Sequence, residues 1–251
     1  GLAIGERVLA QVRGGFAEYA IASERAVSRI PDRMSMSQAA GFRVNYGTAL
    51  HGLRDRAALK AGETLVVIGA AGGVGLAAVQ VGRLLGANVI GVASTEQKRL
   101  FAEEAGAGVT LDRTMEGWRD RLKAVAPQGI DVVFDPVSGP LLQPAFRSLG
   151  WGGRYLVVGF AGGDIPALPV NLPLLKGAAL IGVDYRQFGA VFEVGVAANE
   201  LDELLAWVAK GELNVPVGRT FAFGQYREAL EYALSGDGTG KTILVVDPSL
   251  A

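Results

Sequence analysis

The 251 residues carry 24 Lys plus Arg against 25 Asp plus Glu, and a net charge of −1 gives no electrostatic footing for nucleic acid or an anionic membrane. With no cysteine and one histidine, His51, the chain lacks the donors for disulfides, thiolate metal sites, cysteine nucleophiles or a histidine-rich metal cluster. Half of the residues are hydrophobic, yet Gly, Pro and charges interrupt every run before it reaches membrane-spanning length, so a cytoplasmic protein with no membrane and no nucleic-acid partner is expected.

The chain opens without methionine inside a strand-like run, as a piece of a longer protein would. Residues 7–12 and 16–22, split by Arg13-Gly-Gly15, read as strands, and 27–30 closes this β unit before Pro31-Asp32. Helical patterns begin at Ser37 and again at Val44, where Leu50, Leu53 and Ala57 share a face and make His51 a packing residue rather than a catalytic one. Strands then alternate with helices: strands at 64–69, 88–92, 109–111, 131–134, 154–158 and 179–183, helices at 74–85, 95–105 and 141–149, and an amphipathic segment through Trp118 and Leu122. This alternation predicts an α/β fold with a doubly wound parallel sheet, whose ligands bind at the carboxyl ends of the strands. Asn199 reads as the cap of a helix ending near Lys210 and Gly211, followed by strand-like 221–223, a helix over 225–234 and a strand over 242–246. The β character of both ends suggests one domain from residues 1–45 and 196–251, and a second from 46–195.

Between the strand at 64–69 and its helix lies Ala70-Ala71-Gly72-Gly73-Val74-Gly75, the dinucleotide pattern G-x-G-x-x-G with alanine first. Gly72 would let the backbone approach a pyrophosphate, Gly75 would let helix and strand pack closely, and the free N–H groups at the helix start, through Val74, would face the anion. A glycine turn without ligand has the same look, but the flanking strand and helix supply the context the pattern requires. Enzymes that prefer NAD place an acid about 20 residues beyond the glycines. Here Ser94-Thr95 stand there, with Lys98 and Arg99 following and Arg113 after the third strand. Hydroxyls and cations suit the 2′-phosphate of NADPH; the alternative is that the cations are a solvated helix face. The stretch 236–242 imitates a phosphate loop, but Ser235 occupies the first glycine place and the order is helix–loop–strand.

Gly14-Gly-Phe-Ala-Glu-Tyr19, Val44-Asn-Tyr-Gly-Thr-Ala49, Gly69-Ala-Ala-Gly-Gly-Val-Gly75, Asp131-Val-Val-Phe-Asp-Pro136 and Gly240-Lys241 together resemble the zinc-free quinone oxidoreductase, zeta-crystallin-like, branch of the medium-chain dehydrogenase/reductase superfamily. The resemblance implies a Rossmann domain in the middle and, from the two ends, a GroES-like β-barrel domain incomplete at its N-terminus. It also implies NADPH as cofactor, no metal, and a homodimer formed through the last Rossmann strand, 179–183. The alanine-for-glycine variant of the turn is one the family uses. Thr48 matches a threonine near the nicotinamide carboxamide, Val158-Gly159-Phe160 a strand end lining the nicotinamide, and Lys241 a C-terminal stretch returning to the cofactor. Their plain alternatives are a helix cap, a core aromatic and a turn cation. Asn45, Tyr46 and Tyr185 are the candidates for meeting charge on a reduced oxygen. The activity expected is hydride transfer from NADPH to a small electrophile, a quinone or enone. An enoyl-thioester reductase and a non-catalytic NADPH-binding crystallin-like protein are the alternatives.

Overall fold

The computed structural model describes residues 1–250. In chain order its elements are β1 (Val8–Ala10), β2 (Val27–Arg29), α1 (Met36–Ala40), α2 (Phe42–Leu50), β3 (Thr64–Ile68), α3 (Gly73–Leu84), β4 (Asn88–Ala93), α4 (Glu96–Glu104) and β5 (Val109–Asp112). There follow α5 (Trp118–Val125), β6 (Ile130–Asp135), α6 (Leu142–Arg147), β7 (Leu149–Val157), α7 (Asn171–Lys176), β8 (Ala179–Gly182), α8 (Tyr185–Gln187), α9 (Val194–Lys210), β9 (Thr220–Ala222), α10 (Tyr226–Ser235) and β10 (Ile243–Val245). Two compact units result, one from residues 1–44 with 198–251 and one from 45–197.

The unit 45–197 is built on a six-stranded sheet in the order β5-β4-β3-β6-β7-β8, parallel throughout. Strand side chains alternate between faces. Val66, Ile68, Ile90, Val92, Val133 and Tyr155 point to one face and pack with Trp118 and Leu122 of α5 and Ala145 and Phe146 of α6. On the opposite face α3 approaches so closely that a Cβ at Gly82 would lie 2.4 Å from Leu65 Cδ2. At the centre of the sheet both faces are covered, so β3, β4 and β6 read as unbroken apolar runs rather than alternating ones. The chain starts at the centre with β3, moves outward through β4 and β5, and returns to β6 on the other side. The gap between the ends of β3 and β6 is therefore where the winding reverses, and such a gap is the place for a ligand. Among the described residues no helix is long and apolar enough to cross a membrane.

At the amino edge of this sheet, Arg154 on β7 grips Glu63, which precedes β3, with Nη1 and Nη2 at 3.1 and 2.6 Å, while its Nε donates to the Ala57 carbonyl. Burial alone would raise the Glu63 pKa, but the Arg154 bonds together with the Lys60 N–H and the two positive charges outweigh it and hold the carboxyl below its usual value. A depressed carboxylate stabilises the fold above its unfolded pKa of about 4.3 and loses that contribution as pH falls through the folded value. Thermal melting from pH 7 to pH 3 should therefore fall more steeply for the wild type than for Glu63→Gln, which lacks the titrating group.

In the other unit, β1 pairs antiparallel with β2, and β9 pairs parallel with β10 across α10. Ser35 and Gln38 close a reciprocal capping box at α1. The Arg219 guanidinium lies over the Phe221 and Tyr232 rings at 4.6 and 5.1 Å. The incomplete barrel expected of this unit is represented by these two short ladders. The expected strand over 16–22 does not form: Phe16, Tyr19 and Ile21 are exposed, and no described strand pairs with them. A β-like run forms a strand only where a neighbouring strand takes its hydrogen bonds. Asn199 is likewise not a cap, because α9 begins at Val194 and carries Asn199 in its second turn. β7 begins at Leu149, earlier than expected, because 149–153 extends the ladder past a register shift.

Candidate functional site

The carboxyl ends of the parallel strands bring the glycine turn, Ser94, Arg113, the loop Pro136–Ser138 and the strand end Val158–Phe160 to one edge of the sheet. In the turn, the Gly69 and Ala70 N–H groups both donate to the Val92 carbonyl at 2.9 and 3.1 Å, tying β3 to β4, and the Gly72 N–H donates to the Gly69 carbonyl at 3.0 Å. The left-handed residue is Gly69, with φ +69°. Ala70 is therefore free of the conformation that favours glycine, which is why alanine fits the first place of the pattern. Instead Ala70 is fully buried near Gly91, where a Cβ would lie 3.2 Å from its methyl. Gly75 is a contact glycine: a Cβ there would sit 2.1 Å from the Gly69 carbonyl oxygen.

Gly72 differs from both. It is exposed, extended at φ −82°, and a Cβ on it would meet nothing closer than the Gly69 oxygen at 3.5 Å. The chain itself does not require glycine there, and the space a Cβ would take is open. Gly72 is also the N-cap of the 12-residue α3, and the N–H groups of Gly73 and Val74 in its first turn have no intrahelical acceptor. Ala71 is buried beneath them. A backbone cradle of this kind suits an anion.

At the end of β4, Ser94 is half-buried and Thr95 exposed. Thr95 Oγ1 accepts the Lys98 N–H at 3.3 Å, so this hydroxyl caps α4. The Arg113 N–H donates to the Ala93 carbonyl at 3.0 Å, which sets its exposed side chain beside the end of β4. Arg99 is committed to an ion pair at the same edge: its Nη1 is 2.7 Å from Oδ2 of Asp112, the register partner of Ala93. Sequence reasoning misses Asp112, although its place at a strand end is the signal that could have found it. The Thr114 hydroxyl and N–H, with Arg99, hold its carboxyl below the ordinary value.

The helix α2 carries Asn45, Tyr46 and Thr48, all buried. The Tyr46 hydroxyl donates to Gln80 Oε1 on α3 at 2.7 Å, and burial pushes its pKa well above the ordinary value. Tyr185 is buried against α2, where a Cβ at Gly47 would meet its ring and oxygen at 2.3 Å. Two π-helical stretches, His51–Arg56 and Phe188–Phe192, meet nearby, with the His51 ring stacked on Phe188 at 3.7 Å. Burial lowers the His51 pKa, against the opposing pull of the Asp55 carboxylate 3.2 Å from Nδ1.

On the other flank of the gap, Asp135 ends β6 with no exposed surface. Its Oδ1 accepts the Val137 and Ser138 N–H groups, both at 2.8 Å, and its Oδ2 accepts the Tyr155 hydroxyl. Burial, with the Asp135 carboxylate adding to it, raises the Tyr155 pKa, so Tyr155 remains a donor. Val158 and Gly159 are half-buried and Phe160 is exposed. Lys241 belongs to the other unit, where its stem lies against Gly41, 3.1 Å from a Cβ placed there.

Comparison with known proteins agrees with this geometry. Residues 73–210 match the zinc-binding dehydrogenase family. A quinone oxidoreductase-like protein 2 homolog of Nematostella vectensis is 33% identical over 248 residues, covering 97% of this chain and 67% of that protein. Human quinone oxidoreductase is 31% identical over 254 residues, with coverages of 96% and 73%. The chain thus spans about two thirds to three quarters of the curated relatives' length. Among solved structures, the quinone oxidoreductase of Thermus thermophilus, also solved in complex with NADPH, superposes with a TM-score of 0.87 at 30% identity, covering 98% of this chain and 79% of that one. Mycobacterial Rv1454c, solved with NADPH, gives 0.89 at 25% identity, with coverages of 98% and 75%. The chain belongs to the zinc-binding dehydrogenase family, in the quinone oxidoreductase branch of the medium-chain dehydrogenase/reductase superfamily.

Proposed function

We propose that this chain carries the cofactor site of an NADPH-dependent oxidoreductase that reduces quinones or related activated alkenes and carbonyls without zinc. The observation that carries the reading is the open backbone cradle at Gly72, placed where the sheet reverses its winding. The NADPH complexes and the quinone oxidoreductase names of its relatives support the cofactor and substrate class. In this reading Ala71, Gly72, Gly73 and Val74 hold the pyrophosphate. Ser94, Thr95, Lys98 and Arg113 surround the 2′-phosphate, and Asp112, the acid that the sheet places beside the end of β4, is held by Arg99. Thr48 and Val158, Gly159 and Phe160 flank the nicotinamide.

Bound NADPH would supply the hydride; the protein's share is to position the two carbons and exclude water. Tyr46 is a poor acid, since its hydroxyl already serves Gln80 and its pKa is raised. We assign the proton of the reduced oxygen to solvent, with Asn45 and Tyr185 shaping the pocket wall. Zinc independence belongs to this reading: with no cysteine among its 251 residues, the chain offers no thiolate to a zinc ion. A homodimer through β8 fits this reading, because β8 pairs only with β7 and carries the exposed Leu180 at a sheet edge.

Mixing the protein with NADPH and 1,4-benzoquinone and following nicotinamide absorbance tests the reading. Turnover supports it, turnover only with crotonyl-CoA would move the substrate to enoyl thioesters, and tight NADPH binding without turnover of either would leave a binding protein. Arg113→Ala and Lys98→Ala should each weaken NADPH about tenfold while leaving NADH unchanged. Equal losses for both nucleotides would remove the phosphate-pocket assignment.

A further inference from the structure

We propose that Ser138 is a positioning residue that sets the strand end Val158–Phe160 for the nicotinamide half of the cofactor, an inference that rests on the NADPH reading above. Ser138 is 1% exposed and holds φ +60° and ψ −141°, a region almost reserved for glycine. Among the described non-glycine residues only Ala58 shares its positive φ. Such a conformation persists where the surroundings over-determine it. Here they do: the Ser138 N–H donates to Asp135 Oδ1 at 2.8 Å, and its Oγ donates to the Gly159 carbonyl at 3.0 Å.

The hydroxyl thus reaches across from the β6 loop to the residue before Phe160. The same two loops are laced by Val158 N–H to the Asp135 carbonyl at 2.9 Å, Ala161 N–H to Pro136 at 3.2 Å and Gly162 N–H to Val137 at 2.8 Å. They are also in close contact, since a Cβ at Gly159 would lie 3.0 Å from the Pro136 oxygen. On its other side the β6 loop touches the pyrophosphate turn, where a Cβ at Gly69 would lie 2.7 Å from Val137 Cγ2. One loop therefore bridges the glycine turn and the strand end at 158–160. The Ser138 hydroxyl is the side-chain tie between the bridge and that strand end, and it orients Gly159 without touching the cofactor itself.

The test compares NADPH with its nicotinamide-free fragment, 2′-phospho-ADP-ribose, by calorimetric titration of the 251-residue chain and its Ser138→Ala and Ser138→Gly variants. Ser138→Ala should weaken NADPH about tenfold and leave the fragment within about twofold, because only the nicotinamide half depends on Gly159. Ser138→Gly should show the same split but melt at a higher temperature than Ser138→Ala, since glycine adopts the backbone conformation without penalty. Equal weakening of both ligands, or no weakening of either, in the variants would overturn the role of Ser138 alone. Failure of the wild type to bind either ligand would overturn the cofactor reading and this inference with it.

Discussion

Gly75→Ala is expected to abolish NADPH binding and to lower stability by about 3 kcal/mol, measured by titration and by denaturant unfolding. The added methyl would sit 2.1 Å from the Gly69 carbonyl oxygen and 2.8 Å from its carbon, atoms of a rigid turn rather than the far end of a flexible side chain. Relief requires α3 to move off the sheet or the turn to open. Either movement breaks the Gly72 N–H bond to Gly69 and displaces the N–H groups at the start of α3. Gly72→Ala is the contrasting control. Its methyl would find ordinary contact with the chain at 3.5 Å, so stability should hold to within about 0.5 kcal/mol while NADPH binding falls. If Gly72→Ala binds NADPH as well as the wild type, the pyrophosphate does not lie on this turn.

Asp135→Ala is expected to cost about 4 kcal/mol and to eliminate turnover. Three donors converge on the buried carboxylate, and truncation strands the Val137 N–H, the Ser138 N–H and the Tyr155 hydroxyl together. The Ser138 conformation would lose its backbone restraint in the same step. Tyr155→Phe removes one donor while both N–H bonds stay, so its cost should be about 1 kcal/mol. Comparing the two by chemical denaturation separates the loop restraint from the core contact: similar losses would mean that the N–H bonds to Asp135 contribute little.

The centre of the sheet was legible because β3, β4 and β6 are covered on both faces and separated by turns. Val66, Val67 and Ile68 form an apolar run that suits only a buried strand, and Gly86 stops the helix that follows. The glycine turn was legible for the same reason, although the conformational role fell to Gly69 rather than to the first place of the pattern. The stretch 16–22 misled, since a β-like run between turn residues records a preference for a strand but not the presence of a partner. Asn199 misled because a capping residue type is also tolerated inside a helix that starts earlier for reasons of packing. Nothing in the sequence ties Arg99 to Asp112, thirteen residues away, and only the fold shows the pair. Ser138 gave no signal at all: a serine after Pro-Val is unremarkable until its backbone angle and its bond to Gly159 are seen.

The pairing of residues 1–44 with 198–251 in one unit has a consequence for synthesis. Residues 1–44 leave the ribosome ahead of 45–197, but β9, α10 and β10 follow only after the whole of that unit. At translation rates of about 5–20 residues per second, that interval lasts roughly 10–30 s. Nearly all the long-range pairing of the parallel sheet can be completed in this time, with its last strand β8 added from the carboxyl side. Meanwhile Phe16, Tyr19 and Ile21 stand exposed on a nascent segment whose own ladder is only three residues long.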